Sequence, residues 1–229
     1  LEGNNGSDKY QTHKTFGVVT DKEVHLDHVP TTRDSGLLIE AAEITLSGED
    51  MSGTHGLTLT STVGNVEIDG NYDLSELHLQ AATNVHCNAD IHTTGNASVC
   101  AKEEVSITDS NIQSDQHTVV VGGEVHEHNE NPSRGIIRGI EGVDIVATNG
   151  ESVFDSGIID GKYINITATG DVDFNTLTTH SGRTPIFHPV VLSHQEGDCV
   201  VQAGHDIQAK GLVVTGIGNN IFIAENDIN

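Results

Sequence analysis

The sequence predicts an all-β protein: a parallel, right-handed β-helix solenoid of about ten rungs, each made of three short strands. Two observations carry that expectation. Apolar residues alternate with period two in short runs bounded by Gly, Asn, Asp and Ser, the pattern of strands and turns. The runs also recur at a fixed interval, the signature of a solenoid. No stretch shows a sustained helical period with caps.

The segments LLIEA at 37, LTLTS at 57, LHLQA at 77 and ASVCA at 97 stand 20 residues apart. Their third residues, Ile39, Leu59, Leu79 and Val99, anchor a first strand. Two residues on, Ala41, Ser61, Ala81 and Ala101 are small, as a tight corner requires. Val18 starts the series, which continues as Val121/Gly123, Ile145/Ala147, Ile166/Ala168, Leu192/His194 and Val214/Gly216. A second strand follows as Val24/Leu26, Ile44/Leu46, Val66/Ile68, Val85/Cys87, Val105/Ile107, Val172/Phe174 and Ile221/Ile223. A third apolar position comes next: Met51, Leu74, Ile91, Ile112, Ile158, Leu177, Ile207 and Ile228.

One such rung cannot bury its own apolar face, whereas stacked rungs bury a continuous column. Ten first strands make nine steps, a rod of roughly 43 Å at about 4.8 Å per step. A right hand is expected for parallel crossovers. The opening LEGNNGSDKY reads as a cloning boundary. Residues 1–15 are therefore taken as a flexible or cloning-derived segment, and 16–229 as the β-helix domain of a longer fibre.

Of the 229 residues, 34 are Asp or Glu and only 10 are Lys or Arg, a formal charge of −24. Nucleic acid and anionic membrane surfaces both need clustered basic residues, so neither is expected as a partner. No apolar run is long enough to insert in a membrane. Cys87, Cys100 and Cys199 are too few and too scattered for a disulfide framework or a zinc site. Cys87 aligns with Ile68 and Ile107 and should be buried; Cys100 should face outward.

The candidate site residues lie where the rungs lengthen. In VHEHNE, His126, His128 and Glu130 alternate onto one face, a donor set that could ligate a divalent transition metal. Glu127 points the other way. The longer rungs, 121–145 and 166–192, carry the insertions HEHNENPSRGIIRGIEG and TTHSGRTPIFHP. Solenoid insertions bulge from one face, often the binding face. Arg134, Arg138 and Arg183 fall within them and are the binding candidates. No catalytic residue is assigned. Carboxylate pairs arise by chance among so many acids, and the nucleophile motif G-x-S-x-G is absent. No cofactor is expected.

The stretches SGLLIEAAEITLSGEDMSGTHGLTLTSTVGNVEIDG, LHLQAATNVHCNADIHTTGNASVCAKEEVSITDSNIQS and YINITATGDVDFNTL resemble the haemagglutinin repeats of the filamentous haemagglutinin family. The resemblance covers 18–116 and 141–180 well and the remainder loosely. It departs from the family after Val99, where the steps between anchors become 22, 24, 21, 26 and 22 residues. What it implies is a secreted or cell-surface bacterial exoprotein, exported through an outer-membrane two-partner secretion transporter. Such proteins are adhesins that meet a host or target-cell receptor or glycan, or stalks that present a toxin in contact-dependent inhibition. The expected function is accordingly non-enzymatic. The alternatives are a β-helical polysaccharide lyase or hydrolase, and a phage-type fibre.

Overall fold

The computed structural model describes residues 14–27, 35–48, 51–54 and 56–229, with no helix among them. Most of the 1–15 segment lies outside the described residues; Lys14 and Thr15 already belong to the first strand. The chain winds into a parallel β-helix. Ten first strands stack in one sheet: Lys14–Val19, Ser35–Ala41, Leu57–Ser61, Leu77–Ala81, Ala97–Ala101, His117–Gly122, Gly142–Ala147, Ile164–Ala168, Cys199–Ala203 and Asn220–Ala224. They open coils 1 to 10. The second and third strands of the coils share a second sheet. They share it because Val66–Leu74 and Asn84–Thr93 run unbroken through the corner between them.

Register follows the side chains. Val18, Ile39, Leu59, Leu79, Val99, Val120, Ile145, Ile166, Val201 and Phe222 lie one above another. The corner positions Ala41, Ser61, Ala81, Ala101, Gly122, Ala147, Ala168, Ala203 and Ala224 are all small. In the second strands, Val66/Ile68, Val85/Cys87 and Val105/Ile107 stack pair on pair. Higher up the rod the same columns hold Val125/Glu127, Ser152/Phe154 and Val172/Phe174. Phe154 and Phe174 stack with centroids 5.5 Å apart. Tyr72, Ile91, Ile112, Ile137, Ile159, Leu192 and Val214 form the third column. Each fully buried aliphatic side chain contributes about 1.5–3 kcal/mol, so the columns are the main source of cohesion.

Several sequence assignments shift. In HTVVVG the inward valine is Val120, so Val121/Gly123 moves back by one to Val120/Gly122. Ile159 faces the core and Ile158 faces solvent. Leu192/His194 and Val214/Gly216 are third strands, not first strands. The cause is an antiparallel hairpin, Leu177–Ser181 with Thr184–His188, inserted before the third strand of coil 8. Leu177 belongs to that hairpin. The true first strands of coils 9 and 10 are CVVQA and NIFIA. Ile221 and Ile223 accordingly point outward, and Ile207 sits in the second-strand column. Ile228 bridges to Ile207 from the coil's edge, and Leu74 is buried beside Thr93, with Tyr72 as the partner of Ile91. Met51 pairs with Tyr72 through the backbone, and its side chain lies outside the described residues.

His194 ends a third strand, so the small-corner rule of the first strands does not apply to it. Its ring is buried, with Nδ1 2.8 Å from the Gly197 carbonyl and Nε2 2.8 Å from Asn220 Oδ1. Any side chain at Gly216, one coil on, would collide with the imidazole. The three cysteines are free. Cys87 is buried, its thiol pushed up to about 11 by desolvation, and Cys100 faces outward, half-buried.

Candidate binding groove

Both long insertions leave the shaft at the same corner, between the second and third strands, in coils 6 and 8. In coil 6 the strand Glu124–His128 runs into a loop, 129–135, and then into Ile136–Gly139. The loop is clamped to the coil below. Asp109, at a left-handed φ of 46°, presents Oδ1 to the backbone N–H groups of Glu130 (2.8 Å) and Asn131 (2.9 Å). Arg134 donates to the Asp109 carbonyl (2.6 Å) and to Asp90 Oδ2 (2.8 Å). The Gly135 N–H donates to the Ser110 carbonyl at 3.0 Å.

In coil 8 the hairpin 177–188 stands off the rod, with Gly182 at φ 64° in its turn. Thr179 Oγ1 and His188 Nε2 tie its base at 2.9 Å. Ile186 and Phe187 are exposed, the latter at 66%. Between loop and hairpin lies a groove of about 250 Å³. Its floor is Ile136, Ile158 and Val191, stacked outward residues of successive third strands. Pro132, Ser133 and Arg134 wall one side, His188 and Pro189 the other. The apolar floor continues to Val213 in the next coil.

The three arginines do not converge. Arg134 borders the groove but is held by Asp90. Arg138 Nε donates to Asp160 Oδ2 at 2.7 Å on the outer face of the third strands. Arg183 lies exposed at the hairpin tip. His126, His128 and Glu130 are likewise separated. His128 Nδ1 engages Asp155 Oδ2 at 2.8 Å. Glu130 enters the loop, where its backbone is bound by Asp109. His126 sits among Glu104, Glu124 and Glu151 at 3.7–3.8 Å, with no hydrogen bond to its Nε2. Among the described residues no group of three or more His, Cys, Asp or Glu is placed to hold a metal ion.

Those glutamates belong to a longer row. The residue immediately before the first inward position of each second strand, or before the Ile228 bridge, is Glu23, Glu43, Asn65, Asn84, Glu104, Glu124, Glu151, Asp171, Asp206 and Asp227 in turn, joined coil to coil. A polar cleft of about 480 Å³ opens on this row beside Asn84, Glu104 and Glu124. Apart from Asn65 and Asn84, the row is carboxylate in every coil, in contrast with the apolar groove. Along the same strands, burial and the charge of Asp171 raise the pKa of the Asp173 carboxyl.

Sequence reading missed a buried polar set beneath the loop: Glu127, Asn129 and Ser156, each 3% exposed or less. A signal was present. Aligning VHE at 125–127 with VSI at 105–107 places Glu127 in the position of Ile107.

Compared with protein-family models, with curated proteins and with solved structures, the chain matches none.

Proposed function

We propose that this chain is a non-enzymatic segment of an extracellular β-helical fibre, exported by a bacterium through a dedicated outer-membrane transporter. It acts as an adhesin, or as a stalk that presents a binding or toxin domain. The observation that carries this reading is the placement of the two insertions. They leave the shaft at one corner, two coils apart, and flank an apolar groove on an otherwise acidic rod. An apolar pocket with a few polar walls is what a recognition site needs. Hydrolysis of a glycoside needs two carboxyl groups facing each other across the bond. No carboxylate lines the groove, and those of the acidic row stack along a single edge. The partner in this reading is a receptor or glycan on a host or target cell.

The test is binding of the purified chain to cells and to a glycan panel. Ile158→Asp and Val191→Asp, both in the groove floor, should weaken binding by about tenfold or more, the size of a lost central contact. Val63→Ala, at an exposed turn far from the groove, should not. Equal binding by all three variants would move the site elsewhere. New reducing ends or unsaturated sugars released from a polysaccharide would replace this reading with the enzymatic one.

A further inference from the structure

The hairpin of coil 8 is incomplete as a β structure. Two strands standing in water are marginal; a third strand, or a packed face, is needed for independent stability. Leu177–Ser181 and Thr184–His188 pair with each other and with no other strand among the described residues. Residues 180–187 are all exposed. A further strand could be added at either outer edge, and the two edges are not alike.

The register decides which backbone groups face outward. Gly182, at φ 64°, and Arg183 form a two-residue turn, so Ser181 and Thr184 close the hairpin as a hydrogen-bonded pair. Hydrogen-bonded and non-hydrogen-bonded pairs alternate along an antiparallel ladder. Thr179/Ile186 and Leu177/His188 are therefore hydrogen-bonded pairs, and His180/Pro185 and Thr178/Phe187 are not. Pro185, which has no N–H, falls on a pair that needs none. The outward groups of the second hairpin strand are those of Pro185 and Phe187, and the proline blocks that edge. On the first hairpin strand they are the N–H and C=O of Thr178 and His180. None of these four groups has a hydrogen-bond partner among the described residues. No proline, lysine or bulge protects this edge.

Charge points to what fills it. From Phe174 to Gln195 the chain has no Asp or Glu, the longest such run in the sequence. Two rods of charge −24 repel each other, and here they can meet with the least repulsion. The edge is also self-complementary. In an antiparallel pairing about a twofold axis at Thr179, Thr178 of each copy meets His180 of the other, and all four open groups of each copy are satisfied. Arg183, exposed at each tip, is then carried to the foot of the other copy's hairpin, beside an acidic rod.

We propose that the Leu177–Ser181 edge joins two copies of this chain, whose hairpins pair antiparallel into one four-stranded sheet. Ile186 and Thr179 of both copies form a row on one face, and Thr178 and His180 join Pro185 and Phe187 on the other. Pro185 then lies on both outer edges and stops the sheet at four strands. Because the contact is isologous, it closes as a dimer and does not propagate.

The experiment is sedimentation velocity of the purified chain, without ligand, at rising concentration in physiological salt. It should show a monomer–dimer equilibrium. Thr178→Pro removes an outward N–H and leaves the hairpin's own bonds intact. It should weaken dimerisation by about tenfold or more, since two of the four bonds between copies are lost. Phe187→Pro makes the same change on the edge already blocked and should leave dimerisation as it was. A third variant breaks no backbone bond. Thr179→Cys would face its own copy in a non-hydrogen-bonded pair, within disulfide reach, so mild oxidation should link two chains through residue 179. Ser181→Cys, which would face Leu177 of the other copy, should not link. A monomer at every concentration, equal weakening by the two prolines, or no link through residue 179 would overturn the dimer. A chain that stays monomeric yet captures an extended peptide at Thr178 and His180 would assign the edge to another partner and overturn it too. None of these readings depends on whether the groove binds a ligand.

Discussion

Between Leu46 and Ile107 the second-strand column is filled by Leu46, Ile68, Cys87 and Ile107, all buried, and the coils repeat every 19 to 22 residues. Between Glu127 and His194 the core of coils 6 to 8 also holds Glu127, Asn129, Ser152, Ser156 and His194, and the rungs lengthen. The lower region behaves as a shaft: its second-strand column is apolar, and its buried polar residues, Ser61, Thr93, Ser110 and Ser114, sit at strand ends and corners. The upper region gives up apolar contact inside and gains surface outside. Glycines absorb the change: Gly135 and Gly157 have positive φ beneath the loop, and Gly216 makes room for the His194 ring. The repeat tolerates polar side chains in its columns where backbone freedom is built in beside them.

The sharpest way to break this comparison is to place a carboxylate in the apolar stretch of the shaft's second-strand column. Ile107 is completely buried between Cys87 and Glu127. Ile107→Asp should cost about 3–5 kcal/mol, the penalty for an unpaired buried charge. At this chain length that lowers the melting temperature by roughly 6–20 °C. An unchanged melting curve would mean that the lower coils accommodate charge as the upper ones do, and the distinction would collapse.

The next effect should be the same in both regions. The small corner column runs unbroken through them, with Ala81 in the shaft and Ala147 in the upper coils, 5% and 1% exposed. Leucine at either position overpacks the stack and should cost about 1–3 kcal/mol. Gln80, outward and exposed beside Ala81, should accept leucine within about 0.5 kcal/mol. Chemical denaturation of the three variants reads this. A tolerant Ala147 beside an intolerant Ala81 would show that the upper coils are loosened at their corners as well as in their second strands.

How much was legible in the sequence follows the same division. Where alternation is clean, as in LTLTS, LHLQA and VSI, each side chain declares its face; the first and second columns of coils 2 to 5 were placed, and so was the third column of coils 4 and 5, while in coil 3 Tyr72 takes the position given to Leu74. Where an apolar run has no phase, the face is lost: VVV at 119–121 and II at 158–159 were each read one residue off. The hairpin hid more, because it inserts two strands between a second and a third strand and pushed the later assignments out of order. The corner rule would have recovered them, since CVVQA and NIFIA both end in the same small residue. In the site, which two coils carry insertions was legible from rung length; that both leave at the corner between second and third strands was not. That the arginines do not converge was not legible, because the partners of Arg134 and Arg138, Asp90 and Asp160, are set by coil-to-coil register. Glu127 was read as facing away from His126, His128 and Glu130, which holds, but its burial was not inferred because a carboxylate was not expected in an aliphatic column.

The smallest effect tests whether proton linkage belongs to the upper coils alone. In the shaft, His92 reaches across coils, with Nδ1 2.9 Å from Asp73 Oδ1 and Nε2 3.4 Å from Asp115 Oδ1. The hydrogen bond to Asp73, and then Asp115, raise its pKa above 6.5, against a smaller lowering by desolvation. A raised imidazole contributes stability that is fully present below the unfolded value of 6.5 and is lost as pH rises through the folded value. The ring and both carboxylates are about half exposed, so solvent screening holds the contribution to a few tenths of a kcal/mol. Unfolding free energies at pH 5.5 and pH 8, in the native chain and in Asp73→Asn, isolate it. The native chain should lose slightly more stability over that interval than the variant, with the gap narrowing at high salt because exposed charges are screened. Glu127, its pKa raised well above 4.5, acts in the same direction for a different reason, burial rather than ion pairing, and its share should survive salt. If the His92 share also survives salt, the shaft holds its ion pairs in a drier setting than their exposure indicates, and the two regions differ less in electrostatics than in packing.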